Sequence, residues 1–240
     1  MIRADLHVHT VLSPCGDIEM TPSFIIARAK ERGISIVGIA DHNSTLQCAE
    51  IKRIGEREGV FVLTGAEITT KEEVHVLAFV DGDENLSKLQ GFLEENLPKI
   101  ENNVDFFGYQ LIVNEEEEVL GEVEYLLISA IDKSINEIEE FVHSLGGIFI
   151  PAHIDKKQNS IMSQLGFVPF DLNYDALELS GKTTAEDFLA NNPYLNKTRF
   201  IHSSDAHFPD DFGFIYSKLD VEGEISFQAI KESLKYKKDE

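Results

Sequence analysis

The chain has 240 residues, of which 42% are hydrophobic and 27% are charged, proportions that are typical of globular proteins. Its 43 acidic residues outnumber its 21 basic residues and give a formal net charge of −22. Because phosphate backbones repel such a surface, the composition argues against duplex nucleic acid as a partner. A small phosphorylated substrate stays compatible with it, since bound metal ions can dominate the local potential.

No apolar run approaches the roughly 20 residues that are needed to cross a bilayer, so we expect no membrane partner. The N-terminal segment carries charges at Arg3 and Asp5 and has no apolar stretch of signal-peptide length. Cys15 and Cys48 are too few for a disulfide framework, which fits a reducing cytosol. We therefore expect a cytoplasmic protein, and the sequence leaves its oligomeric state unknown.

The first third of the chain alternates short β-branched runs with amphipathic helices. The predicted strands are Ile2–His7, Ile34–Ala40 and Val60–Ala66. A helix is predicted over Pro22–Arg32 with Thr21 as its N-cap. Ser44 and Gln47 predict a capping box for a second helix, to about Arg57. Repeated strand–helix–strand units predict parallel strands with helices outside them.

The connection after Glu67 differs from the earlier ones because it is short. Only residues 68–73 separate Glu67 from the alternating run Val74–Val80. A parallel crossover needs about a dozen residues or more, so we predict a hairpin and an antiparallel strand.

Residues 84–130 have the weakest pattern. They predict a helix near Asn85–Asn96 and a second hairpin, formed by Tyr109–Val113 and Val119–Ile128. The acidic run Glu115–Glu118 lies between these two strands. A cation site is one interpretation of the run, but like charges side by side repel and favour a solvated turn.

The alternation of strands and helices then returns. Ser134 and Glu137 predict a capping box for a helix that ends near Leu145. Thr183, with Glu186 three residues on, is predicted to cap a short helix, and a last helix is predicted over Phe227–Lys235. The remaining predicted strands are Ile148–Ala152, Ala176–Leu179 and Arg199–Ser203. Six or seven inner strands with outer helices predict one α/β barrel domain over residues 1–240, distorted by the hairpin, with 84–130 as a small insertion or cap.

Most histidines lie at or just beyond the ends of predicted strands. They are His7, His9, His42, His75, His153 and His207. In α/β barrels this rim carries the functional loops. Strand alternation places Asp5, His7 and His9 on one face, so that two imidazoles can hold one metal ion while Asp5 orients one of them. A lone pair of this kind also occurs as polar residues on an exposed strand.

Further ligand types end the other predicted strands. They are Asp41 with His42, Glu67, His153, and Asp205 with His207. Ionisable groups that are buried without partners cost several kcal/mol, so packing alone does not explain their recurrence at separate strand ends. We therefore predict a site for two or three divalent ions. Imidazole and carboxylate ligands suit Zn, Mn and Fe alike. Cys15 is a further candidate ligand or a small loop residue.

Several motifs together resemble the PHP (polymerase and histidinol phosphatase) family. They are Asp-Leu-His-Val-His-Thr at 5–10, Asp-His at 41–42, Gly-Ala-Glu at 65–67 and Ser-Asp-Ala-His at 204–207. The resemblance covers nearly the whole length and is weakest over 84–130. It implies a distorted (β/α)7 TIM-like barrel with a trinuclear metal centre at its mouth, and metal-dependent phosphoesterase activity.

The same resemblance implies the ligands of each ion. The first ion would be held by His7, His9, Glu67 and Asp205, the second by Glu67, His75 and His153, and the third by Asp17, His42 and His207. Glu67, Asp205 and His207 are the candidate catalytic residues. Asp17 follows an insertion relative to many relatives, and its alternative is a turn residue. His143 and His202 match no motif and are interpreted as structural.

The leading hypothesis is hydrolysis of a small phosphate ester, a phosphomonoester or nucleotide, by a metal-bridged hydroxide that attacks phosphorus in line. Candidate contacts for the phosphate oxygens are Lys156, Lys157, Ser160 and Ser204. A solvated lysine pair is the alternative interpretation of Lys156 and Lys157. Two other functions stay open: amide or lactone hydrolysis of the amidohydrolase type, and a non-catalytic metal-binding module.

Overall fold

In the computed structural model, which describes residues 1–236, the strands are β1 (Ile2–Val8), β2 (Ile36–Ile39), β3 (Phe61–Thr69), β4 (His75–Val80), β5 (Leu111–Val113), β6 (Val119–Glu122), β7 (Ile148–Pro151), β8 (Leu177–Leu179), β9 (Phe200–His202) and β10 (Ser217–Leu219). The helices are α1 (Pro22–Arg32), α2 (Cys48–Glu58), α3 (Asp83–Asn96), α4 (Val104–Phe107), α5 (Ile135–Ser144), α6 (Ile161–Leu165), α7 (Ala185–Asn191) and α8 (Phe227–Ser233), with a 3-10 helix at Pro193–Leu195. Every strand and helix predicted from the sequence has a counterpart here. The sequence did not predict α4, α6 or β10.

Six strands form the main sheet, in the order β10–β1–β2–β3–β4–β7. The first three strands in sequence are parallel, as predicted. The predicted hairpin is also confirmed, because β3 and β4 are antiparallel in a register that pairs Thr69 with His75. This register returns His75 to the end of the sheet where Glu67 lies.

A closed seven-stranded barrel is not confirmed. The sheet is mixed and curled but open, since β8 and β9 form a separate parallel pair. Strand β1 pairs antiparallel with β10 through Ile2–Ala4, and only Val8 bridges to Ala206, after the end of β9. The antiparallel β10 thus occupies the edge of β1 along which a further parallel strand would close the barrel.

Two of the predicted helix starts are confirmed in detail. The Thr21 side chain accepts a hydrogen bond from the backbone N–H of Phe24 at the start of α1. Ser134 and Glu137 form the reciprocal capping box of α5. Each contact satisfies N–H groups that the first helical turn leaves without intrahelical partners.

Two other cap predictions are wrong. Ser44 and Gln47 do not form a capping box, because α2 begins only at Cys48. The side-chain amide of Gln47 instead exchanges two hydrogen bonds with the backbone of Val113, at 2.8 and 3.0 Å, and fixes strand β5. Helix α7 is capped by Thr184. The hydroxyl of Thr183 donates instead to Asp155, at 2.6 Å. In both cases a tertiary partner takes the polar group that the local pattern assigned to a cap.

The segment 84–130 contains α3, α4 and the predicted hairpin, which is confirmed as β5–β6. Glu115, in the turn of this hairpin, forms ion pairs with Arg53 and Arg57 of α2. The acidic run therefore lies in a turn that is tied to the outer helix layer. Its role as an insertion or cap stays a prediction.

Two hydrophobic clusters lie on opposite faces of the main sheet. Ile36 belongs to one and its neighbour Val37 to the other, as strand alternation requires. The inner cluster includes Leu6, Leu63 and Leu77. Along β3 and β4 these positions share a face with Glu67 and His75, so the inner apolar core lies directly beneath the polar strand ends. Within residues 1–236, no helix is both long and apolar enough to cross a membrane.

Candidate metal centre

Glu67, at the end of β3, is the centre of a buried cluster of imidazoles. Its side chain is only 1% exposed. Five histidines from the ends of four strands direct a ring nitrogen towards its carboxylate. The distances to a carboxylate oxygen are 2.8 Å for His75, 3.1 Å for His42, 3.2 Å for His153, 3.3 Å for His7 and 3.5 Å for His9.

Asp205 forms the second acidic side of this cluster. Its Oδ1 lies 3.3 Å from Nε2 of His7 and 3.4 Å from Nε2 of His9. Its Oδ2 accepts a hydrogen bond from Nζ of Lys156. The ring of His207, which is partly exposed, stacks on His9 with 3.9 Å between centroids. The cluster therefore has a buried floor of imidazoles and one side that opens to solvent at Lys156 and His207.

The donor chemistry of this cluster fits divalent metal ions. Five buried ring nitrogens have no hydrogen-bond partner among residues 1–236: Nε2 of His7, Nε2 of His9, Nδ1 of His42, Nε2 of His75 and Nδ1 of His153. A buried polar atom without a partner costs about 1–3 kcal/mol. A cation that accepts imidazole lone pairs beside two carboxylates removes this cost, so the residues present suit Zn, Mn or Fe.

Three groups of side chains bring possible ligand atoms within 4.8 Å of one another. They are His7–His9–Glu67, His42–Glu67–His75 and His9–His42–His207. The structure thus unites His7, His9 and Glu67 as the resemblance implied. It brings His75 to Glu67 together with His42, and it brings His42 and His207 together with His9. The ligand sets of individual ions stay predictions.

Asp17 does not belong to these three groups. Its Oδ1 accepts a hydrogen bond from the backbone N–H of Glu19 at 2.8 Å, as in a turn. Its own N–H donates to the carbonyl of His207 at 2.8 Å. Asp17 therefore braces the loop beside His207, and its observed contacts are those of the alternative interpretation.

The structure does not place Asp5 where the sequence pattern placed it. The β1–β2 register shifts between Asp5 and Val8, which breaks the strict alternation of faces. The carboxylate of Asp5 accepts hydrogen bonds from the backbone N–H groups of Ser204 and Gly213, at 2.9 and 3.0 Å. The prediction that it orients an imidazole of the pair is therefore wrong. Burial raises the pKa of Asp5 to about 6 despite these hydrogen bonds.

Glu178 is the partner of His7 that sequence reasoning missed. It is buried on β8, and its Oε2 lies 2.9 Å from Nδ1 of His7. The only indication of this role in the sequence was a single carboxylate between Leu177 and Leu179. A three-residue strand is too short for alternation to show which way that carboxylate points.

His9 has a different partner, the hydroxyl of Ser13, at 2.9 Å from its Nδ1. The same hydroxyl donates to Oδ1 of Asp41, which also accepts from the backbone N–H of Thr10. Asp41 is thus a support of the cluster and lies behind the ligands. Burial raises its pKa to about 6, although these hydrogen bonds oppose the shift.

Burial and charge shift the pKa values of the cluster in opposite directions. Burial opposes protonation of His7, but the carboxylates of Glu178, Asp205 and Glu67 hold its pKa well above the usual value. Burial, together with the neighbouring His207, lowers the pKa of His9 to about 3. Burial also disfavours ionised Glu67, yet the surrounding imidazoles hold its pKa well below the usual range. The metal-free cluster thus combines ionised carboxylates with a charged His7 and a neutral His9.

The four candidate substrate contacts have different positions. Lys156 reaches Asp205 at the open side, and Lys157 is exposed. The hydroxyl of Ser160 donates to the carbonyl of Lys156 at 2.7 Å and caps helix α6. The backbone of Ser204 donates to Asp5. Only Lys156 is seen in contact with the cluster, and its ammonium group is the nearest candidate for a phosphate oxygen.

Two histidines lie outside the cluster. His143, on α5, contacts Glu139 at 2.5 Å and Asp175 at 3.1 Å. His202 contacts the carbonyl of Ser180 at 3.3 Å. Their contacts agree with the interpretation of both as structural.

Comparison with known proteins gives matches in both sequence and structure. The PHP domain family matches the chain over residues 5–154. The uncharacterized protein MJ1587 of Methanocaldococcus jannaschii is 28% identical over 205 residues, covering 82% of this chain and 91% of that protein. The structure is similar to the lesion-specific endonuclease PfuEndoQ of Pyrococcus furiosus, with a TM-score of 0.68, 20% identity and 96% coverage of this chain.

The chain spans only 55% of that endonuclease. A protein of Bifidobacterium adolescentis that is named as a metal-dependent phosphoesterase gives a TM-score of 0.57 at 21% identity, with 85% of this chain and 87% of that chain covered. At these identities the structural similarities establish the fold alone.

Proposed function

The chain belongs to the PHP domain family, and from that premise we propose that it is a metal-dependent phosphoesterase that hydrolyses a small phosphate ester. One observation carries the proposal: five imidazoles surround the buried carboxylate of Glu67 at 2.8 to 3.5 Å. Five of their buried ring nitrogens have no hydrogen-bond partner among the residues that the structure describes. Burying these polar groups without partners would cost free energy, whereas together they form a suitable set of ligands for divalent ions.

The ligands of two or three ions would come from the three groups described above, with His153 and Asp205 beside them. When bound, divalent ions supply a water that ionises near neutral pH and positive charge for the phosphate oxygens. The carboxylate of Glu67 would neutralise positive charge among the buried imidazoles and hold their rings in place. Because His7, His9 and Glu67 are fully buried, the floor excludes bulk water and the substrate must approach from the open side.

Lys156 would bind the phosphate at this open side. Its side chain is 41% exposed, and its ammonium group contacts Oδ2 of Asp205. A phosphate oxygen would accept a hydrogen bond from this ammonium group in place of Oδ2 of Asp205. That carboxylate oxygen would then be free to face the centre. Lys157 lies next to it and would add positive charge without a fixed contact.

The charge of the molecule favours a small substrate. A chain with a formal charge of −22 repels an extended polyanion. The likeness to a lesion-specific endonuclease makes DNA the strongest competing substrate class. Amide hydrolysis and a non-catalytic metal-binding role are further alternatives.

The deciding experiment is one set of parallel assays on a single preparation loaded in turn with Zn, Mn and Fe. The substrates are phosphomonoesters and nucleotides, single-stranded and abasic duplex DNA, and amides. We expect turnover of a phosphomonoester or nucleotide that disappears with a chelator and with Glu67→Gln. Turnover of DNA or amides alone would overturn the proposal, and so would metal binding without any turnover above background.

A further inference from the structure

Glu178 is a buried carboxylate that the proposed reaction does not use as a ligand or substrate contact. Its side chain is 2% exposed, and Leu177 and Leu179 on either side are fully buried. An ionised group in such surroundings is costly unless hydrogen bonds compensate for the lost water.

A single oxygen of Glu178 joins two different strand ends. Its Oε2 accepts from Nδ1 of His7 at 2.9 Å and from the backbone N–H of His153 at 2.9 Å. His153 has a φ of 29°, an uncommon conformation for a residue other than glycine. The carboxylate therefore fixes both an imidazole ring of β1 and a strained backbone turn after β7.

The same contact decides where the His7 ring carries its proton. Oε2 is already the acceptor for the backbone N–H of His153, so Nδ1 of His7 is the donor in its contact with the same oxygen. The opposite nitrogen, Nε2, then faces Glu67 and Asp205, each at 3.3 Å, and has no hydrogen-bond partner in the described part of the chain. When the ring is neutral, its lone pair lies on Nε2 and points into the cluster.

We propose that Glu178 is a positioning residue that presents Nε2 of His7 to a metal ion and holds the backbone of His153 in place. A carboxylate behind an imidazole fixes the ring and makes its other nitrogen a stronger donor. The metal-affinity part of this inference rests on the proposed function. The part that concerns the proton of His7 does not.

Two substitutions separate charge from hydrogen bonding. Glu178→Gln keeps an oxygen that can accept from both His7 and His153 but removes the negative charge. Glu178→Ala removes both. Glu186→Gln, at an exposed position in α7, is the matched control. Folding of each variant is verified by circular dichroism before any comparison.

The first measurement is the proton on Nδ1 of His7, observed by NMR in histidine-labelled protein with and without zinc. We expect a proton protected from exchange in the wild type, Glu178→Gln and Glu186→Gln, and its loss in Glu178→Ala. The second measurement is zinc affinity by competition with a chelator. We expect affinity to fall about 10- to 100-fold in Glu178→Ala and less in Glu178→Gln.

Unchanged zinc affinity and a protected Nδ1 proton in Glu178→Ala would overturn the inference. If Glu178→Ala does not fold, Glu178→Gln decides: wild-type affinity, or loss of the protected proton, would contradict the assignment. A wild-type protein that binds no zinc, manganese or iron would refute the proposed function instead. The NMR result in the metal-free protein would still test whether Glu178 protects the proton on Nδ1 of His7.

Discussion

The carboxylate of Glu67 should contribute strongly to the stability of the metal-free protein. Glu67→Gln keeps the side-chain volume and replaces the charge by a neutral amide. Five imidazole nitrogens lie within 3.5 Å of the carboxylate, and His7 is held in its charged form by its acidic neighbours. Removing one partner of a buried ion pair costs about 3–5 kcal/mol. We expect Glu67→Gln to lower the free energy of unfolding by about that amount.

The pH dependence of this loss has a defined sign. The pKa of Glu67 is lowered on folding from 4.5, so its contribution is complete above that pH and is lost as the pH falls through the folded value. The pKa of His7 is raised on folding from 6.5, so its contribution is complete below that pH and is lost as the pH rises through the folded value. The effect of Glu67→Gln should therefore be largest between pH 4.5 and 6.5 and smaller in alkali.

Urea unfolding in the presence of a chelator, at pH 6 and at pH 9, measures both the size and the sign. Glu95→Gln, at an exposed position in α3, is the control and should change stability by less than about 0.5 kcal/mol. If Glu67→Gln matched the wild type at pH 6, or lost more stability at pH 9 than at pH 6, the described pairing of Glu67 with the imidazoles would be refuted.

Three further predictions test other parts of the molecule. Lys156→Ala should lower kcat/KM for a phosphate ester about tenfold, as expected for the loss of one charge-assisted hydrogen bond. Lys157→Ala is the control and should change kcat/KM by less than about twofold. Equal effects of the two substitutions would contradict the placement of Lys156. Asp17→Asn should keep the metal-to-protein ratio of the wild type, because its carboxylate holds a turn; a lower ratio would make Asp17 a ligand. The hydrogen bond with Asp175 raises the pKa of His143, and Glu139 adds to this effect while burial opposes it. The contribution of these contacts to stability is therefore present below pH 6.5 and is lost as the pH rises through the folded pKa. Glu139→Gln should therefore cost about 1–2 kcal/mol at pH 6 and less at pH 9 in urea unfolding, and the exposed Glu140→Gln should show no such difference.

The sequence was most informative where local chemistry and tertiary structure agree. The short connection after Glu67 allowed only a hairpin, and the structure has one. Thr21 and Ser134 cap their helices as predicted, and the hydroxyl of Thr21 also donates to Glu117 at 2.8 Å, which leaves its oxygen able to accept the cap hydrogen bond. The motif histidines converge because parallel strands end at one edge of the sheet, which strand order and hydrophobic pattern already implied.

The sequence was least informative where a distant partner or a local irregularity decides. A register shift in β1 turns Asp5 away from His7, and alternation alone cannot reveal such a shift. Gln47 binds Val113, which lies far away along the chain. Glu178 occupies a strand of three residues whose orientation depends on its pairing with β9. The open edge between β7 and β8 likewise depends on strand pairing, which periodicity does not encode.

The central claim is that residues from His7 to His207 converge to hold metal ions. A crystal structure of the metal-loaded protein, with anomalous scattering recorded at the Zn, Mn and Fe absorption edges, tests it most directly. We predict two or three anomalous peaks at roughly 2.0–2.2 Å from ring nitrogens of the cluster and from Glu67. Full metal loading with no peak at these side chains would contradict the claim.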